Sequence, residues 1–383
     1  MRRLLLLVCA IVLVDTMLYA ALVPLLPRYV DEFDLSKTGA GVLVAAYAAG
    51  AFVGAVPAGY AASRYGPRRA VLYGLALIAV ASLGFAIAGD ALSLGVARFV
   101  QGLGSTLSWA GALTWLVAST PRARRGEMLG TAIGSAIFGA LLGPALGALA
   151  EGIGPRPVFA ALAGLTVALG AWALRTPPAR AEQPTLAALA RAAREPQVFG
   201  ACWLMVLPAL FFGVLAVLVP LELDAAGWTA TAIAAVFIGS AAIEMFIAPL
   251  LGRLSDQRGR LLPLRFSLTG ATIVAVGLAI ADRPAVLVPL IVAAGIAFGA
   301  FWAPAMALLS DAAERIGLAQ GLAFGFMNAA WGAGNTAGPA VGGALADAAG
   351  DALPYALMAF VAATTLFGLQ ALGTRAERVP ETP

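Results

Sequence analysis

The sequence predicts an all-α membrane protein with twelve transmembrane helices in two pseudo-symmetric six-helix bundles. Three observations carry this prediction. Hydrophobic residues make up 61% of the chain and charged residues only 11%, against about 25% charged in an ordinary soluble domain. The apolar residues fall into twelve runs, each near the roughly 20 residues that a spanning helix needs. The same glycine and proline patterns recur about 193 residues apart.

The spans read as 4–26, 39–61, 70–88, 91–116, 127–150 and 156–174, then 198–221, 228–251, 263–281, 284–309, 318–346 and 352–372. Arg2 and Arg3 before Leu4 to Val14 imitate an export signal. The apolar run resumes after Asp15 and continues to Leu26, long enough to cross. Between the sixth and seventh spans lies the longest polar stretch, with Pro177, Pro178, Pro184 and Pro196 among its arginines. The domain division is therefore 1–174, a cytoplasmic linker at 175–197, and 198–383, with a short amphipathic helix expected over Leu186 to Arg194.

Basic residues set the orientation. With the N-terminus inside, 19 basic residues fall on the cytoplasmic side and four (Arg28, Lys37, Arg156 and Arg283) on the other, while Arg98 lies within a span. An odd number of spans breaks this alternation, so count and orientation support each other. Both termini are expected in the cytoplasm of a bacterial-type inner (plasma) membrane. The net charge of +4 sits in short arginine clusters between apolar runs, the pattern of loops at a membrane surface and not of a nucleic-acid groove.

The chain has no histidine. That excludes a His-based metal site, a His-dependent triad and an imidazole proton relay. No metal site, cofactor or catalytic constellation is expected, and an intramembrane proton carrier must be a carboxylate. Cys9 and Cys202 lie inside apolar runs and behave as small hydrophobes.

The halves repeat. Pro27 and Pro220 close the first span of each, and Gly59, Ser63 and Gly66 match Gly252, Asp256 and Gly259, all at an offset of 193. Gly130, Gly139, Gly143, Pro144 and Gly147 match Gly325, Gly334, Gly338, Pro339 and Gly342 at 195, with Gly343 following. Six spans per repeat give both halves one orientation, related by an axis along the membrane normal, with the substrate path between them.

These motifs resemble the major facilitator superfamily over the whole chain. The loop Gly59, Ser63, Arg64, Gly66, Arg68, Arg69 is similar to the family's gating loop, with serine at the usual aspartate. The second copy, Gly252, Asp256, Arg258, Gly259, Arg260, keeps the acid and is expected to carry more of the gating electrostatics. Arg98 with Gln101 and Gly102 is similar to the family's fourth-helix motif. A charge inside the bilayer costs about 2.5–3.5 kcal/mol even on a lenient scale, so Arg98 is expected to face the interior, in a network with Gln101 and Asp15. The glycine–proline register of the fifth and eleventh spans resembles the signature of the antiporter branch; the last position of the first copy is Ala148.

The first span, with Asp15 and Tyr19 before Pro24 and Pro27, resembles drug-exporting facilitators and the vesicular monoamine transporters. Asn328 stands where the amine transporters carry an acid, a departure from their coupling scheme. The resemblance implies a proton-coupled antiporter exporting small lipophilic, cationic compounds. Asp15, Glu244 and Arg98 are the proton-coupling candidates. Asp15, Tyr19, Gln101, Trp109, Phe212, Phe298, Trp302, Phe324 and Asn328 are the cavity candidates. Expected partners are protons, a small-molecule substrate and the lipid bilayer, with the chain a monomer. A nutrient symporter or uniporter, and a non-transporting membrane sensor on the same fold, remain alternative readings.

Overall fold

The computed structural model describes residues 2–121, 124–179, 186–192, 194–259, 261–281, 283–318 and 320–376. The first span is broken. α1 (Arg2–Ala20) gives way to a 3-10 turn at Val23–Leu25 and then to α2 (Leu26–Glu32). Pro24 and Pro27 each lack the N–H that would continue the helix, which accounts for the break. α3 (Lys37–Tyr65), α4 (Pro67–Ile87), α5 (Ala91–Ala118), α6 (Arg125–Ile153) and α7 (Pro155–Leu174) complete the first bundle.

After α8 (Leu186–Ala192) come α9 (Pro196–Ala225), α10 (Ala230–Arg258), α11 (Leu261–Ala279), α12 (Pro284–Gly299), α13 (Trp302–Arg315), α14 (Gln320–Ala349) and α15 (Ala352–Ala376). α12 and α13 are one span interrupted at Ala300 and Phe301. Pro304 cannot donate to the Ala300 carbonyl, so the helix restarts there. The linker helix α8 does not simply lie on the surface: Ala192 is buried with Ala313, Leu318 and Leu322.

Local chemistry fixes the helix ends. Ser36 and Thr229 cap α3 and α10 by accepting from Gly39 N and Ala232 N, both at 3.3 Å. Asp90 and Ser93 form a reciprocal capping box on α5, and the Ser93 amide holds the Asp90 carboxyl below its ordinary range. Gly66, with φ +95°, turns the chain between α3 and α4, where a Cβ would be strained.

Helix pairings repeat between the halves. α1 packs on α6 as α9 packs on α14; α3 packs on α5 as α10 packs on α12; α4 packs on α7 as α11 packs on α15. The halves meet along two seams, α3 with α14 and α6 with α10. Large apolar side chains such as Val80, Phe246, Phe266 and Phe367 are exposed, forming an outer surface suited to lipid. Among the described residues, ten spans are long and apolar enough to cross a membrane. The two that fall short of that apolarity, α5 and α14, are 28 and 30 residues long and are packed among the others. Arg98, Gln101 and Ser105 of α5 and Asn335 of α14 are buried against protein, and these helices, with α1 and α3, build the candidate site.

Candidate functional site

Helix α5 carries Arg98, Gln101, Ser105 and Trp109 at steps of three and four residues, a single stripe on an α-helix. Close glycine contacts sink that stripe into the first bundle. A Cβ on Gly102 would run into the Tyr47 carbonyl, and one on Gly50 into the Phe99 carbonyl, so α3 and α5 touch backbone to backbone.

The stripe meets Asp15 on α1, which is buried. Its Oδ2 accepts from Ser105 Oγ at 2.7 Å, Trp109 Nε1 at 2.7 Å and the Tyr47 hydroxyl at 3.2 Å. All three donors converge on one oxygen. The other, Oδ1, is buried and has no partner among the described residues.

Arg98 is 1% exposed and forms no ion pair with Asp15 among the described residues. Its guanidinium donates to Gln101 Oε1 at 2.9 Å and to the Leu18 and Tyr19 carbonyls, both at 3.3 Å. Those carbonyls end α1, where helical carbonyls lack partners and the dipole is negative. The break in the first span thus creates the arginine's acceptors. Arg98 also lies over the Tyr47 ring, 4.8 Å from its centroid. Tyr47 therefore stands between cation and anion, with its ring under Arg98 and its hydroxyl on Asp15.

The second bundle reaches this cluster through α14. Tyr19 packs against Tyr47 and Trp331 with centroids 5.1 Å apart in each case. Its hydroxyl lies 2.8 Å from the Asn335 amide. With that amide turned so that its oxygen accepts from Trp331 Nε1 at 3.1 Å, its nitrogen donates to Tyr19 and to the Ala209 carbonyl at 3.3 Å.

Of the sequence candidates, the structure brings together Asp15, Tyr19, Arg98, Gln101 and Trp109. It adds Tyr47, Ser105, Trp331 and Asn335, which sequence reasoning missed. A signal existed for three of them: Ser105 continues the α5 stripe, and Trp331 and Asn335 continue the α14 stripe begun by Phe324 and Asn328. Phe298 departs from expectation. It is fully buried between Phe211 and Phe212, with centroids at 5.1 and 5.5 Å, and is core rather than cavity wall. Trp302, Phe324 and Asn328 are half-buried, and Asn328 Nδ2 is buried without a partner among the described residues. Glu244 is half-buried on α10, away from Asp15, with its carboxylate against Gly299 at the end of α12.

The glycine–proline register forms seams. Gly139, Gly143 and Gly147 on α6 press on the backbone of α1 at Leu13 and Met17 and on Ala21 just past its end. Gly334 and Gly338 on α14 press on α9 at Val206 and Leu210, while Gly342 meets the Val214 side chain. Pro339 seats on Gly213 and Gly41, Gly343 meets the Lys37 carbonyl, and Pro144 lies within α6. Gly130 meets nothing within 4 Å; with Ile133, Met245 and Met306 it lines a gap between α6, α10 and α13.

In the first gating loop, Ser63 is buried beside Gly59, Arg68 donates to the Thr176 carbonyl at 3.3 Å, and Arg64 and Arg69 are exposed. In the second, Gly259 turns with φ +82°. The side chains of Asp256 and Arg258, and all of Arg260, lie outside the described residues, as does any environment of Gly252.

Comparison with known proteins agrees with this architecture. The family model of the Major Facilitator Superfamily matches residues 8–324. The chain is 32% identical over 122 residues to the MFS-type transporter ppzB of Metarhizium rileyi, covering 30% of this chain and 25% of that protein. It thus spans about a quarter of the length of the curated relatives it matches. Among solved structures, the xylose transporter XylE of E. coli, elsewhere described as a proton:xylose symporter, superposes with a TM-score of 0.74 at 18% identity, covering 99% of this chain and 98% of that one. The nucleoside transporter NupG superposes with a TM-score of 0.73 at 14% identity, covering 96% and 99%. At such identities these two structures speak for the fold alone. The fold, its repeated pairings and a family match that runs over most of the sequence lead to one conclusion: this chain belongs to the Major Facilitator Superfamily.

Proposed function

We propose that the protein is a secondary active transporter, a proton-coupled antiporter that exports small lipophilic, cationic compounds by alternating access. Both termini and the linker lie in the cytoplasm of a bacterial-type inner membrane, and the coupling ion is the proton, with no bound cofactor. One observation supports this above the others. Asp15 is buried with three donors on Oδ2 and an unpartnered Oδ1. Arg98 is engaged by carbonyls, Gln101 and the Tyr47 ring instead of by the carboxylate. The unpartnered, buried oxygen can take a proton or, once the path opens, face a cationic group, and the two compete for one position. Exchange of one for the other then needs no separate coupling device. Tyr47 and Trp109 of the first half touch the carboxylate, and Trp331 of the second packs on Tyr47 and Tyr19, a set of rings that suits flat or greasy cations.

The test is proton release on adding a monocationic aromatic compound to the purified protein in weakly buffered detergent solution. The parent should release protons, and Asp15→Asn should release none and lose pH-gradient-driven transport in proteoliposomes. If the asparagine variant releases as many protons and still transports uphill, Asp15 is structural.

A symport reading has one observation in its favour, the fold likeness to a protein described as a proton:xylose symporter. The two readings separate by direction. With an inward proton gradient, antiport drives substrate out of the proton-receiving compartment, whereas symport drives it in.

A further inference from the structure

The seam between α3 and α14 has two ends that differ in charge. At one end α3 begins, and the free N–H groups of its first turn need acceptors. Ser36 serves Gly39 from within the same half. The others are served from the opposite half. Asp347, near the end of α14, accepts from Lys37 N at 3.1 Å and Thr38 N at 2.7 Å, and the Thr38 hydroxyl also donates to it at 2.5 Å. A carboxylate at a helix N-terminus gains from the dipole as well as from the hydrogen bonds. Beside it the Lys37 ammonium grips both oxygens of Asp351, at 2.5 and 2.6 Å. Lys37 is the only lysine in the sequence. Among the described residues this is the one ion pair that joins the two halves. Glycines let the carboxylates reach: a Cβ on Gly343 would strike the Lys37 carbonyl, and one on Gly41 the Pro339 carbonyl.

At the other end of the seam the roles reverse: α3 finishes and α14 starts. The matching device would be a carboxylate near the end of α3. That place is Ser63, 1% exposed, whose hydroxyl has no partner among the described residues. Among the described residues, the seam is tied by charge at one end only.

We propose that Asp347 and Lys37 form an inter-bundle latch that holds the outer end of the transport path shut, so that the empty protein rests closed on that side. The latch rests on the alternating-access reading but not on Asp15 being the proton carrier. It gives each half one piece: the first supplies a helix N-terminus and an ammonium, and the second supplies two carboxylates four residues apart. Opening outward breaks both at once.

Lys37 is the sole lysine, so a membrane-impermeant amine reagent, with modification scored on the Lys37 peptide by mass spectrometry to set aside the N-terminal amine, reads the latch in the full-length protein. Labelling is measured in right-side-out and in inverted vesicles, which also fixes the side on which Lys37 lies. Asp347→Ala leaves the Lys37–Asp351 pair in place and removes the cap. It should raise the Lys37 labelling rate from the outside by about three- to thirtyfold, the equilibrium change produced by losing about 0.7–2 kcal/mol. Asp347→Asn keeps one acceptor oxygen but loses the charge and the second acceptor, so its rate should lie between those of the parent and the alanine variant. Lys37→Asp should impair transport, and Lys37→Asp with Asp351→Lys should restore it. Labelling of Asp347→Ala within twofold of the parent, or failure of the charge swap to restore transport, overturns the latch. Failure of proton release at Asp15 leaves these labelling results unchanged, so the two ideas fall separately.

Discussion

In the first bundle α5 runs unbroken through Arg98, Gln101, Ser105 and Trp109, held by glycine contacts on α3 and α4. Its counterpart in the second bundle is α12 with α13. That span breaks at Ala300, packs through Phe298 against Phe211 and Phe212, and carries no buried charge among its described residues. The helix pairings are the same and the chemistry is not. The difference teaches that the repeat supplies a scaffold, while the polar network is loaded onto one copy. The second bundle contributes through α14, where Trp331 and Asn335 meet Tyr19, with the Ala209 carbonyl of α9 holding the Asn335 amide. A buried charge is expensive in a bilayer and needs close neighbours to offset it; the unbroken, glycine-lined α5 provides them.

The largest expected effect breaks the comparison on its polar side. Arg98→Ala removes a buried cation with four contacts and should lower flux in proteoliposomes more than 100-fold, roughly the effect of about 3 kcal/mol, while the protein still inserts. Arg98→Lys keeps the charge but not the planar fork and should recover only part of the flux. Trp302→Ala on the counterpart span should cost far less. Equal losses at the two positions would show that the halves share the chemistry.

A smaller effect concerns the glycine seams. Gly102→Ala drives a methyl group into the Tyr47 carbonyl, a backbone atom that cannot yield. It should destabilise the protein by about 1–3 kcal/mol, read as a lower midpoint of thermal unfolding in detergent. Gly342→Ala meets the Val214 side chain at 3.1 Å, which can turn aside, and should cost less than about 1 kcal/mol. The reverse order would mean that the second bundle is the tighter of the two.

The smallest effect sharpens the carboxylate comparison. Glu244 sits against Gly299 with no polar partner among the described residues, whereas Asp15 has three donors. Glu244→Gln should keep pH-gradient-driven flux within about threefold of the parent, a difference under about 0.7 kcal/mol. Complete loss would make Glu244 the carrier and move the coupling chemistry to the second bundle.

The sequence alone determined the spans, their repeat and the residues with most at stake. These are local properties: apolarity over about 20 residues decides partition into lipid, and a carboxylate or guanidinium inside such a run is costly wherever the run packs. Asp15, Arg98 and Gln101 were legible for that reason. The breaks in the first and tenth spans were half legible, since Pro24, Pro27 and Pro304 mark them, but their consequence was not. That the end of α1 would offer the Leu18 and Tyr19 carbonyls to Arg98 depends on where α5 lies. Tyr47, an ordinary aromatic in an apolar run, gained its place between Arg98 and Asp15 only when α3 met α5 at Gly102. Asn335 and Tyr19 stand 316 residues apart, and Lys37 and Asp351 stand 314 apart. Only the tertiary structure decided these partnerships, because a contact between halves depends on the tilt and depth of whole helices. Those follow from backbone seams at glycines spread over the chain, and no single stretch of sequence contains them.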